Sequence, residues 1–192
     1  FALRVRGLHL PHDLENASAM LYDSCEFLEQ CGKRLYDERR GPYLYLPKLE
    51  SYEEALLVDE MLEECEHYVG IPRGSVKVTA LIETFPAVFQ TEEILFALRK
   101  RAVGLNCGRW DYLFSMYKCL PGHAFEGPPG METTCMEAYV RQIVRSCHTR
   151  GAHAMGGMSA HVPTKGTDAD EVLATVERDK RLEILRGCDG AW

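Results

Sequence analysis

Six times along 192 residues, a short apolar or β-branched run gives way to a longer segment with helical signals. That alternation constrains the fold more than any other feature of the chain. The runs are ALRVRGLHL (2–10), YLYLPKL (43–49), VKVTALIET (76–84), AVGLNCGRWD (102–111), HAMGGMSA (153–160) and GCDGAW (187–192). They recur at about the spacing of a strand, a helix and two short loops. Strands that alternate with helices predict βαβ units and a parallel sheet.

The helical segments carry their own start and stop signals. Ser51 and Glu54 form a capping box ahead of Ala55, Leu56, Leu57, Met61 and Leu62, and Gly70 with Pro72 ends the helix. Thr91 is expected to cap TEEILFALRKR, with acids early and bases late, as the helix dipole prefers. Residues 132–151 and 168–187 read as helices that close at Gly151 and Gly187. LPGHAFEGPPGM (120–131) reads as a long loop.

Six βα units in succession favour a barrel over a doubly wound sheet. A closed (β/α)8 barrel needs eight strands, and about six are readable here. The expected fold is therefore α/β, an incomplete TIM barrel, with residues 1–192 forming one partial catalytic domain. The chain opens on Phe1 and closes on CDGAW, which reads like a strand in mid-course. The expectation is a piece of something longer.

Composition removes several classes of function. The 22 basic and 29 acidic side chains leave a net charge of −7, which argues against a nucleic-acid surface. The basic cluster RKR (99–101) reads as a solvated helix end. No apolar run approaches the roughly 18–20 residues of a membrane span. Arg4 and Arg6 interrupt the first apolar segment, so it does not read as a signal peptide. Neither nucleic acid nor membrane is expected as a partner. The eight cysteines form no CxxC pair and are scattered like small apolar residues. They read as reduced thiols in a cytosolic or organellar-matrix compartment.

In barrels of this kind the active site lies at the C-terminal ends of the strands. The side chains expected there are Arg6 and His9, Lys48 and Glu50, Glu83, Arg109 and Asp111, then Met155, Met158 and Trp192. Glu83 and Asp111 leave adjacent strands at the same end. Carboxylates that share a pocket repel unless a proton or a cation sits between them. Oxygen-only ligands suit a hard ion, and a few carboxylates completed by substrate and water is the usual Mg2+ arrangement. Arg6 would then face an anionic substrate or a developing oxyanion. Gly104 and Gly108 would let the backbone approach a ligand closely.

Spacing alone also admits plainer readings. An acid after a strand can be a helix cap or a surface charge. His9 reads as a structural hydrogen-bonding partner, and Met155 and Met158 as core. Cys107 reads as a small buried residue, since no positioned His base is evident. Lys48 is either a substrate anchor or a solvated strand-end lysine. Arg109 reads as an orienting ion-pair partner.

Taken together, RVRGLHL, GPYLYLPKLESYEEA, VGIPRGSVKVTALIET, AVGLNCGRWDYLFS, CHTRGAHAMGGMSAHVP and DKRLEILRGCDGAW resemble the malate synthases of the A type, glyoxysomal and bacterial. The motifs fall in family order across almost the whole chain. The resemblance implies a (β/α)8 enzyme that condenses acetyl-CoA with glyoxylate and hydrolyses malyl-CoA to malate and CoA. It implies Arg6 as the catalytic arginine that polarises glyoxylate and stabilises the enolate. It implies Glu83 and Asp111 as the Mg2+ ligands. The segment Gly108, Arg109, Trp110 and Asp111 would receive the glyoxylate carboxylate, and Met158 and Trp192 would line the pocket. The family's general base is an aspartate of a C-terminal domain beyond the DGTW-type strand, so these 192 residues alone are expected not to turn over. An acidic strand motif that normally precedes the RGLH strand is missing, and the loop at 119–131 is shorter than usual. The alternatives are a C–C lyase of the citrate-lyase-β or malyl-CoA-lyase kind, and a degenerate homologue that only binds a keto acid. GLNCGRWDY and HAMGGM favour malate synthase over the lyases. A peroxisomal (glyoxysomal) or a cytoplasmic location is expected, and an oligomer is compatible with the sequence.

Overall fold

Parallel strands covered on both faces need apolar side chains at successive positions, not only at alternate ones. The central runs meet that demand. In the computed structural model they form β2 (Tyr43–Leu46), β3 (Lys77–Ile82) and β4 (Ala102–Cys107), with Leu44, Tyr45 and Leu46, and Ala80, Leu81 and Ile82, buried in succession. Shorter strands flank them: β1 (Leu3–Arg4), β5 (His153–Gly156) and β6 (Gly190–Ala191). The structure describes residues 2–13, 17–122, 129–159, 161, 163–166 and 168–191.

All five pairings are parallel, and the strand order is β1-β2-β3-β4-β5-β6. Each strand lies beside its predecessor. A doubly wound sheet reverses its order at a switch point, whereas barrel winding never does. The sheet is thus a curled portion of a TIM barrel with six strands.

Helices fill the crossovers. Helix α1 (Ala19–Phe27) runs through a π-helical turn (Leu28–Gly32) into α2 (Lys33–Asp37). Next come α3 (Tyr52–Val69), α4 (Phe85–Val88), α5 (Thr91–Ala97), α6 (Arg109–Cys119), α7 (Thr134–Thr149) and α8 (Ala169–Leu185). Val58 and Leu62 of α3, Ile94 of α5 and Val140 and Ile143 of α7 are fully buried in one continuous core with the sheet. Each such side chain contributes about 1.5–3 kcal/mol by leaving water. Tyr139 of α7 donates its hydroxyl to the Ile82 carbonyl and stacks on Tyr112 of α6, with ring centroids 4.1 Å apart.

The capping box forms with a shift of one residue. Ser51 Oγ accepts from the Glu54 amide, while Glu54 Oε2 accepts from the Glu50 amide, and Gly70 ends the helix at φ 72°. Several boundaries differ from expectation, and among the described residues the runs at 2–10, 153–160 and 187–192 keep only two, four and two strand residues. Thr91 is not the cap of α5: Gln90 holds that position, and the buried Thr91 hydroxyl pairs with Ser146 Oγ at 2.8 Å. A tertiary partner satisfies the hydroxyl better than an end it cannot reach. The run 102–111 stops being a strand at Cys107, and its last three residues open α6.

At the opposite end of the sheet from the motif residues, Arg101 is 1% exposed and held by α3. Its Nε donates to Asp59 Oδ1 at 2.5 Å, and Nη1 donates to Glu66 Oε1 at 2.9 Å. Glu66 also accepts from the amides of Gly74 and Val76, just before β3. Removing one partner of a buried pair leaves an uncompensated charge. Glu66→Ala should therefore cost about 3–5 kcal/mol of unfolding free energy. Urea denaturation checks this, and a loss below about 1 kcal/mol, the range of an exposed pair, would sink the assignment.

Candidate active site

The β3–β4 ladder decides which residues meet at the C-terminal edge. Ile82 pairs with Cys107, so the next residues out, Glu83 and Gly108, are neighbours. A Cβ on residue 108 would lie 2.5 Å from Glu83 Cβ and 3.0 Å from Glu83 Oε2. Only glycine leaves room there for the carboxylate. Gly108 then caps α6, which puts Asp111 in the first helical turn and turns its carboxyl back onto Glu83. The two acids do come together, through a strand end and a helix start rather than through two strand ends.

A lysine completes the cluster. Lys48 Nζ lies 2.5 Å from Asp111 Oδ1 and 3.6 Å from Glu83 Oε1, and the Lys48 amide donates to Glu83 Oε1 at 2.9 Å. Lys48 adopts φ 62°, in the left-handed region that costs a non-glycine residue about 1–3 kcal/mol. Thr84 Oγ1 donates to the Leu49 carbonyl at 2.7 Å and holds that bend in place.

Electrostatics separates the two acids. Burial is the largest influence on Glu83, which is 2% exposed, and with the hydrogen bond from Asp111 it raises the carboxyl above its usual range despite Lys48. Burial also pushes Asp111 up, but hydrogen bonds with Lys48 and Glu83 outweigh it and hold that carboxyl below its usual range. The ammonium stands where a cation between two carboxylates would stand. The cluster faces a cavity of about 380 Å³ whose wall also includes His9, Glu54 and Thr84. Two carboxylates aimed at one cationic position are oxygen donors that fit a hard divalent ion completed by substrate and water. Among the described residues, no group of three or more His, Cys, Asp or Glu side chains forms a complete protein cage for a metal.

The arginines are arranged differently from the sequence expectation. Arg6 points away from the acids. Its backbone amide and its Nε and Nη2 all donate to the Asp23 carboxylate of α1, at 2.7–3.1 Å. Arg4 approaches instead, with Nη2 4.0 Å from Glu83 Oε1. Strand pairing ends at Arg4, so Arg6 lies past the sheet edge, where α1 captures it. Residues 4 and 6 share a face in any strand, so alternation alone cannot choose between them.

Arg109 is an ion-pair partner, with Nη1 2.9 Å from Asp179 Oδ2 of α8 and Nη2 donating to the Pro129 carbonyl. Its guanidinium also stacks 4.7 Å from the Trp110 ring centroid, so Trp110 is packed rather than open to the acids. Met158 is 64% exposed, on a stretch outside the regular elements. Trp192 lies outside the described residues. Cys107 is 2% exposed, and its hydrogen bond with Cys188, together with burial, keeps its thiol well above the usual range, as befits a core residue.

The comparisons with known proteins converge on one family. The family model for the malate synthase TIM-barrel domain matches residues 1–192. The chain belongs to the malate synthase family. It is 44% identical to malate synthase A of Escherichia coli over 98% of this chain and 38% of that protein. It is 39% identical to the glyoxysomal malate synthase of Candida tropicalis over 99% of this chain and 37% of that one. The chain thus spans under two fifths of the length of these curated relatives. A Haloferax volcanii malate synthase, solved as a magnesium/glyoxylate complex, matches all of this chain and 51% of its own with a TM-score of 0.72 at 17% identity. A citrate lyase of Burkholderia xenovorans matches all of this chain and 52% of its own with a TM-score of 0.73 at 20% identity. The backbone is therefore shared by synthase and lyase alike, and the sequence similarity selects malate synthase.

Lys48→Met removes the ammonium while keeping most of the side-chain volume. Both carboxyls should then titrate at higher pH, because the cation lowers both. Carboxyl-carbon NMR titration reads this directly. Unmoved Glu83 and Asp111 midpoints would show that the lysine does not serve the pair.

Proposed function

We propose that this chain carries the glyoxylate half of a malate synthase centre, for the Mg2+-dependent condensation of acetyl-CoA with glyoxylate and hydrolysis to malate and CoA. The observation that carries this reading is the convergence of Glu83 and Asp111 on a single cation position, with Arg4 beside them. Glu83 and Asp111 would hold Mg2+. When bound, the ion would supply Lewis acidity at a carbonyl oxygen and a template for a substrate with carboxylate and aldehyde oxygens.

The chain's own groups account for the rest. Lys48 yields the position and remains a neighbouring positive charge. The first turn of α6, from Gly108 to Asp111, offers helix N-terminal amides, which favour a carboxylate. Arg4 takes the part that the sequence resemblance assigned to Arg6, a guanidinium for the charge that develops on an enolate oxygen. Arg6 serves by fixing α1 to the end of β1, and Arg109 by fixing α8 to the start of α6. Proton abstraction from acetyl-CoA falls to the aspartate that the family places in its C-terminal domain, so residues 1–192 as an isolated polypeptide would bind glyoxylate without turnover. A peroxisomal (glyoxysomal) or cytoplasmic location fits the relatives, and a fluorescent fusion of the natural protein distinguishes the two.

Calorimetric titration of glyoxylate with and without Mg2+ tests the half-site. Binding should require Mg2+, and Glu83→Gln or Asp111→Asn should weaken it by about 10–100-fold or more with the fold intact. Undiminished Mg2+ dependence in either variant would overturn the ligand assignment. Because protons compete with the metal for Glu83, Mg2+ affinity should rise as pH increases through that carboxyl's elevated titration range. In the full-length protein, Arg4→Ala should lower kcat by about 10²–10³-fold. Arg6→Ala should lower mainly stability. The reverse ranking would return the catalytic role to Arg6.

A further inference from the structure

On the outer side of the first two βα units, α1 and α3 enclose an apolar groove of about 740 Å³, with Leu21, Leu57, Met61 and Tyr68 in its wall. Two cysteines 40 residues apart meet there, Cys25 Sγ lying 3.1 Å from Cys65 Sγ. Cys25 is exposed on α1, and Cys65 is 5% exposed on α3 behind it. A disulfide requires the sulfurs to close to about 2.05 Å, a movement of roughly 1 Å. The π-helical turn that follows α1 marks a helix whose hydrogen-bond ladder already departs from regularity. Cys107 and Cys188 also share a hydrogen bond, but both are buried in the core. The Cys25–Cys65 pair therefore combines thiol proximity with a path for a reagent.

We propose that Cys25 and Cys65 form a thiol-modification site that a small disulfide of the oxidised-glutathione class converts to a disulfide, stapling α1 to α3. The Cys25 thiolate attacks one sulfur of the oxidant. The oxidant's S–S bond breaks, one small thiol leaves, and a mixed disulfide remains on Cys25. Cys65 gives its proton to solvent, attacks Cys25 Sγ and expels the second small thiol. Two protein thiols are oxidised by two electrons, and the oxidant is reduced to two thiols. Burial, with the hydrogen bond to Cys25, pushes the Cys65 thiol up to about 12, which leaves the exposed Cys25 to react first. Disulfides in reducing compartments are usually transient and redox-sensing, which matches a site built from an exposed thiol and a buried one.

The staple would act at a lightly paired edge of the sheet. Strand β1 has two paired residues, and α1 holds its end through Asp23, two residues before Cys25. Fixing α1 to α3 therefore fixes Arg6 and the strand that carries Arg4.

The test equilibrates the full-length protein in glutathione buffers of graded poise, then maps alkylated and cross-linked peptides by mass spectrometry. Cys25 and Cys65 should lose reactivity together, yielding a linked peptide pair lighter by two hydrogens. The melting temperature should rise by roughly 5–10 °C, dithiothreitol should reverse the rise, and Cys25→Ser should lack it. Cys65→Ser should accumulate glutathione on Cys25. Both thiols remaining alkylatable at an oxidising poise would overturn the proposal, as would a glutathione adduct that persists on Cys25 in the wild-type protein. A Cys25–Cys65 bond with no change in melting temperature would overturn the staple.

Discussion

The contact on which the rest of this fold depends is the clamp of Arg101 by Asp59 and Glu66. Burying a guanidinium costs several kcal/mol unless its protons are all met. Here α3 meets them with two carboxylates and the Asp59 carbonyl. The same Glu66 gathers the amides of Gly74 and Val76, so the entries of β3 and β4 are tied to one helix. The Arg101 carbonyl then accepts from the Val78 amide at 2.9 Å and starts the β3–β4 ladder. A slip of one residue would turn every side chain of a strand to the other face. It would also separate Glu83 from Gly108, because that contact exists only while Ile82 faces Cys107. The register that runs from Thr79 opposite Gly104 to Ile82 opposite Cys107, above a one-residue shift at Val78, is thus the reason two acids meet at the top of the sheet.

The two ends of the sheet obey opposite economies of charge. At the bottom, carboxylates and guanidinium satisfy each other, and Arg73 adds a further cation to Asp59 and Glu63 from outside. At the top, two carboxyls face one ammonium held on a left-handed residue, and one acid titrates high while the other titrates low. Strain and incomplete neutralisation of this kind gather where a protein reserves space for something else. The rigid end makes the strained end tolerable.

Much of this was readable in the sequence. The alternation of runs yielded all six strands and their parallel winding, because burial on both faces leaves a strong mark on composition. The Ser51–Glu54 box and Gly70 marked both ends of α3, because caps are local chemistry. That Glu83 and Asp111 meet at one end of the sheet was readable from their positions after adjacent strands, while spacing alone left a helix cap or a surface charge open for either acid. The failures have a common cause in partners distant in sequence. Thr91 resembles a cap until Ser146, 55 residues away, takes its hydroxyl. Lys48 reads as either a substrate anchor or a solvated strand end, and its pairing with Asp111, 63 residues away, is invisible until the two face each other. The start of α6 was hidden inside an apparent strand because Arg109 and Trp110 find their companions on α8 and in the core.

The arginines carry this furthest. Arg4, Arg6, Arg101 and Arg109 all lie at strand edges, and composition does not distinguish them. What differs is the residue opposite. Asp23 lies on the helix after β1 and takes Arg6; Asp179 lies on the helix before β6 and takes Arg109. Both arginines thereby become brackets between a strand end and an outer helix. Arg4 lies instead beside the acids, with its guanidinium 4.0 Å from Glu83 Oε1 and its charge felt by Asp111. A guanidinium already engaged by an aspartate contributes rigidity, and one left beside a buried carboxyl contributes charge. Synthase and lyase share one backbone at 17–20% identity, so what distinguishes their chemistry has to lie in side chains and not in the fold.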